Sequence, residues 1–184
     1  LIDLSLNVPE VTLPFFLRHR NCFKRGGTVE QSVTADYLQI KDYLPEKVET
    51  ILDIGCGMAA IGVYLLRHYP GAKLLLLDGD GDDTRDGWQP SRPEPFSSRA
   101  AANELLAANG IAAERWVDVN TKEHLRADLV ISLASWGYHY PISTYNVTGF
   151  CVADLRKSEE KARGMVIETF AKFNRCAWRM KGTP

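Results

Sequence analysis

"ETILDIGCGMAAIGVYLL", residues 49–66, decides how this chain is read. It opens on an apolar run broken only by Asp53, which suits a strand covered on both faces. Gly55 and Gly57 follow with Cys56 between them, and from Ala59 the apolar spacing lengthens to that of a helix. A strand ending in a glycine-rich turn that opens onto a helix presents unpaired backbone N–H groups and the positive end of the helix dipole. Glycine also lets a ligand approach where a Cβ would clash. Asp53 narrows the ligand class: a carboxylate there repels a pyrophosphate and favours an ammonium group or hydroxyl donors.

Working outward, short apolar runs alternate with helical stretches. The strand "TILDI" leads into the helix "AAIGVYLLRHY", stopped by Pro70-Gly71; the strand "KLLLLD" follows, then the helix "SSRAAANELLAAN", ended by Asn109-Gly110. "ERWVDV", "ADLVISL" and "GFCVADL" read as further strands. Continuous apolar strands separated by helices predict an α/β fold, doubly wound about a mostly parallel sheet. In the tail, Gly164 and the β-branched "MVIETF" favour a short helix and then an antiparallel hairpin, roughly 165–170 against 174–180.

Upstream, Thr28 and Gln31 form a capping box, and Val33, Tyr37, Ile40 and Leu44 recur at helical spacing up to Pro45. Residues 1–27 lack a sustained period and hold the basic run Arg18, His19, Arg20, Lys24 and Arg25; they are expected to be a solvated lead-in to a single domain over residues 28–184.

Composition bounds the function. With 22 basic against 23 acidic residues the net charge is −1, so the chain as a whole does not attract nucleic acid or an acidic membrane. No apolar stretch suits a membrane span, and Asp3, Pro9, Glu10 and Pro14 interrupt what a secretion signal would need. Cys22, Cys56, Cys151 and Cys176 show no metal-binding spacing and read as buried thiols in a reducing, cytoplasmic compartment, with no metal site.

Asp78 closes the second strand, where a carboxylate at the carboxyl edge of the sheet can accept both ribose hydroxyls of a nucleoside. "LDIGCGMAAIG" followed by "LLLLDGDG" resembles the first two motifs of the class I S-adenosylmethionine-dependent methyltransferases, with Ala59 where the family's third glycine stands. The resemblance implies a Rossmann-like, seven-stranded sheet ending in an antiparallel hairpin, and S-adenosylmethionine as cofactor. It implies that Asp53, Gly55, Cys56 and Gly57 face the amino-acid portion, Asp78 and Gly79 the ribose, and Asp118 the adenine, with Ser132 at the tip of the fourth strand also near the cofactor. Plainer roles exist for the acids: Asp53 could cap nearby N–H groups, and Asp78 could simply form a turn.

"DGDGDDTRDGWQPSRPEPF", residues 78–96, is too long for a simple connection. A calcium loop is excluded because Asp83 and Gln89 stand where that motif needs Gly and Glu, leaving a solvated loop or a lid. After the fourth strand, "SLASWGYHYPISTY" gathers Trp136, Tyr138, Tyr140 and Tyr145 around His139 at the carboxyl edge, where they could wall an acceptor pocket. His139 could remove a proton from an acceptor hydroxyl, or simply pack among the aromatics. Arg156 and Asp154 are further pocket candidates, or else a mutual surface ion pair.

The Asn/Asp-Pro-Pro-aromatic signature of amino-group methyltransferases is absent, which points to a small-molecule or sugar hydroxyl acceptor and away from nucleic acid. Two alternatives compete. "GCGMAA" also fits the glycine pattern of an NAD-dependent oxidoreductase, against which Asp53 argues, and a binding protein could keep the cofactor pocket without methylating.

Overall fold

The computed structural model describes residues 2–19, 27–79, 97–139, 141–156, 166–169 and 175–179. Among the described residues seven strands form one sheet: β1 (Thr50–Ile54), β2 (Lys73–Leu77), β3 (Arg115–Val117), β4 (His124–Ser132), β5 (Asn146–Asp154), β6 (Val166–Thr169) and β7 (Arg175–Arg179), in the order β3-β2-β1-β4-β5-β7-β6. The first five run parallel; β7 lies antiparallel to β5, and β6 antiparallel to β7. The order runs outward in both directions from the β1–β4 junction, the doubly wound arrangement expected from the sequence.

Why the apolar runs are continuous is visible in the packing. Ile51, Leu74, Leu76, Leu129 and Ile131 join one core cluster, and Leu52, Ile54, Leu77 and Val130 a second, so successive residues of the same strands are buried on opposite faces. The helices α1 (Leu13–His19), α2 (Val29–Ile40), α3 (Ala60–His68) and α4 (Arg99–Ala108) contribute to the first cluster. Among the described residues, Val119, Trp136, Ile142 and Tyr145 pack on the second face, to which Trp178 of β7 contributes.

The helix starts follow the sequence closely. Thr28 accepts from the Gln31 N–H at 3.1 Å while Gln31 accepts from the Thr28 N–H at 2.9 Å, the reciprocal box expected at the start of α2. Ser98 caps α4. The stretch before α2 does more than lead in. Leu6 and Phe16 enter the first cluster, Tyr64 donates to the Leu4 carbonyl at 2.7 Å, and Asn7 and Asn109 exchange backbone and amide hydrogen bonds at 3.0 and 2.8 Å. Those bonds are to backbone groups, which leave no periodic trace in a sequence.

No helix among the described residues is long and apolar enough to cross a membrane. The expected short helix before the hairpin and most of the residue 78–96 loop lie outside the described residues.

Candidate functional site

The parallel strands end together along one edge. Gly55, Asp78, Asp118, Ser132 and Asp154 all stand there, at or just beyond the ends of β1 to β5. The β1–β4 junction is the point from which the chain winds both ways, and crevices at such points receive ligands in open α/β sheets.

The glycine turn after β1 is tied down. The Gly55 and Cys56 N–H groups donate to the Leu77 carbonyl at 2.6 and 3.3 Å, the Gly57 N–H donates to Asp78 Oδ2 at 2.5 Å, and the Ala59 N–H to the Cys56 carbonyl at 2.8 Å. Of the N–H groups the turn was expected to present, those of Gly55, Cys56 and Gly57 are engaged by β2 and Asp78. What the turn offers is room. Gly57 has φ +56 and nothing within 4 Å of where a Cβ would sit. Ala59, at the third glycine position, is itself left-handed at φ 55, which strains an L-residue by about 1 kcal/mol and explains why that position favours glycine.

Asp53 is 2% exposed, and its Oδ2 accepts no hydrogen bond. Burial first, and then the Asp78 charge, push its carboxyl up to about 8. The Asp78 charge therefore acts on the Asp53 carboxyl. Asp78 is oriented by the Gly57 N–H and, at 2.7 Å, by the Gly79 N–H. The Cys56 thiol is pushed well above its ordinary range by burial, then by Asp78 and Asp53, so it stays protonated.

Two residues missed by the sequence reading complete this corner. Buried Ser97 donates to the Gly79 carbonyl at 2.8 Å, pinning together the two ends of the long loop. Arg99 donates to the Asp78 carbonyl at 3.2 Å and lies 5.4 Å from the Trp116 ring centroid. A serine before a cap and an arginine in a helix's first turn carry no signal of their own in a sequence.

Ser132 is fully buried; its hydroxyl donates to the Ile54 carbonyl at 2.6 Å and accepts from the Trp136 N–H at 2.8 Å, joining the tips of β4 and β1. Asp118 is exposed and accepts from the Asn120 N–H at 2.7 Å.

The aromatic segment divides. Trp136, with no exposed surface, donates to the Ile142 carbonyl, and buried Tyr145 donates to the Val119 carbonyl, so both side chains are spent on the core. Tyr138, His139 and Arg156 come together nearer solvent. The Arg156 guanidinium lies 5.2 Å from the Tyr138 centroid, and the His139 ring meets Tyr138 edge-on at 5.0 Å. Partial desolvation, then the Arg156 charge, hold the His139 imidazole below its usual range. Tyr140 lies outside the described residues.

Asp154 does not pair with Arg156. It receives Arg175 Nε at 2.8 Å and Nη2 at 3.2 Å, and also the Ala134 N–H at 2.8 Å. Arg175, 2% exposed, reaches on to Asp36 and Gln39 of α2 at 3.2 and 2.7 Å. The surface-pair reading fails because a hairpin residue distant in sequence supplies the counter-charge.

No protein-family model matches the chain, and no curated protein sequence matches it significantly. Solved structures do. A ribosomal protein L11 methylase from Lactobacillus delbrueckii subsp. bulgaricus superposes with TM-score 0.51 at 16% identity, covering 83% of this chain and 79% of its own. A methyltransferase from Pyrococcus furiosus gives TM-score 0.50 at 14% identity over 81% of each chain. A StiE O-MT segment gives 0.47 at 11% identity, covering 83% of this chain, which spans 54% of that segment. At these identities the likeness establishes the fold: this chain has the fold of the class I S-adenosylmethionine-dependent methyltransferases.

Proposed function

We propose that this chain binds S-adenosylmethionine and transfers its methyl group to a hydroxyl of a small molecule or sugar. The observation that carries this reading is the pair Asp53 and Asp78 about the Gly55–Gly57 turn, at the switch point of a methyltransferase-type sheet. The cofactor's groups fit what is there. An α-ammonium would satisfy the orphaned Asp53 oxygen, ribose hydroxyls would donate to the oriented Asp78 carboxylate, and the space at Gly57 admits the ligand's close approach. Asp118, at the tip of β3 beside β2, is proposed to accept from the adenine amino group. Ser132 is proposed to hold the β1 and β4 tips in register beneath the cofactor.

When bound, S-adenosylmethionine supplies an electrophilic methyl carbon. The chain's own part is to align the acceptor and take its proton. His139 is the candidate base, held neutral near physiological pH by desolvation and by Arg156. A dinucleotide is disfavoured, because its pyrophosphate would meet the Asp78 carboxylate and a turn whose Gly55, Cys56 and Gly57 N–H groups are already engaged.

The test is transfer of label. Full-length chain is incubated with methyl-labelled S-adenosylmethionine and a small-molecule cell extract, with a parallel thermal-shift comparison of S-adenosylhomocysteine and NAD. Label in a small product, with stabilisation by S-adenosylhomocysteine, supports the reading. Stabilisation by NAD alone would falsify it, and tight cofactor binding without transfer would leave a binding protein.

A further inference from the structure

The acidic residues near the acceptor segment are unevenly placed. Between Asp128 and Asp154 the sequence has no Asp or Glu. Among the described residues, the carboxylate nearest to Arg156 in sequence, Asp154, is committed to Arg175 and to the Ala134 N–H, while Glu159 and Glu160 lie outside the described residues. Arg156 is exposed, and its described side-chain neighbour is the face of Tyr138.

A guanidinium stacked on a ring keeps its edge N–H donors in plane, a planar fork that fits a carboxylate or phosphate. Its base is fixed, because the Arg156 N–H donates to the Gly137 carbonyl at 2.9 Å. Gly137 sits at φ +78 against Leu155 and Ile142, which holds the backbone just before Tyr138 and His139. The same Tyr138 ring therefore carries the cation over its face and meets the imidazole in a T-shaped contact.

Resting on the methyl-transfer reading above, we propose that the acceptor is a small molecule bearing an oxyanion, a carboxylate or phosphate, which Arg156 holds so that its hydroxyl lies beside His139. The oxyanion is bound and not transformed. Among the described residues of this segment Arg156 is the one arginine, and on a chain of net charge −1 this suits a small acid and not a polyanion.

Products of the labelled reaction are separated on an anion exchanger near neutral pH, with phosphatase treatment of the retained material distinguishing phosphate from carboxylate. Labelled product should be retained. Arg156→Gln should fold with unchanged Tm and S-adenosylhomocysteine affinity, while the half-saturating concentration of the retained fraction rises about 10- to 100-fold with much less change in maximal rate. Arg156→Lys should recover part of the loss. Label emerging in neutral or cationic products, label in nucleic acid, or an unaltered half-saturating concentration in Arg156→Gln each overturns the proposal. Absence of any transfer while S-adenosylhomocysteine binds overturns the methyl-transfer reading itself, and this proposal with it.

Discussion

Burial and the neighbouring Asp78 charge push the Asp53 carboxyl up to about 8, so near neutrality the ligand-free protein keeps it largely protonated. In an unfolded chain the same group titrates near about 3.9. The folded form thus holds a proton that the unfolded form has lost over roughly pH 4 to 8, and stability falls as pH rises through that window. Asp53→Asn removes this slope; urea denaturation at pH 5 and pH 8 should show a smaller difference than in the parent. A bound ammonium reverses the preference, because a cation favours the carboxylate. Cofactor-product binding should therefore release a proton near pH 7 and tighten from pH 6 to pH 8. Calorimetry in two buffers of different ionisation enthalpy detects that proton, and Asp53→Asn should lose it. At Gly57, substitution by Ala meets no protein atom within 4 Å but is strained at φ +56. Gly57→Ala should cost about 1 kcal/mol of stability yet weaken S-adenosylhomocysteine binding more than that, as isothermal titration would show.

Between elements, Arg175 is the tie that binds β7, β5 and α2 through Asp154, Asp36 and Gln39, while Asp154 also holds the Ala134 N–H at the start of the segment after β4. Removing one partner of a buried pair leaves the other charge uncompensated. Arg175→Met should cost about 3–5 kcal/mol in chemical denaturation, and Arg175→Met with Asp154→Leu distinctly less. The elements themselves were largely legible in the sequence. Asp53, Gly55, Gly57 and Asp78 marked the βαβ unit, Thr28 and Gln31 marked the start of α2, and the β-branched "MVIETF" marked the hairpin. The partner of Asp154 was not legible, because pairing across β5 and β7 is set by strand register. Nor was the fate of the aromatics: Trp136 and Tyr145 turn inward while Tyr138 stays near solvent, a choice made by the irregular backbone after β4 and not by any spacing.

Over the whole molecule, the sheet brings the tips of five parallel strands to one edge, and the proposed site is drawn from those tips. The N-terminal stretch bonds to α3 and α4 and thereby braces the helical layer behind that edge. The proposed function requires that Asp53 and Asp78 hold an adenosyl amino acid. The most direct measurement is calorimetric titration of S-adenosylhomocysteine into the parent and Asp78→Asn. The parent should bind, and Asp78→Asn should bind at least about tenfold more weakly with its fold intact, as loss of hydrogen bonds to a charged acceptor requires. Equal affinity in the two proteins, or no binding by the parent, would contradict it.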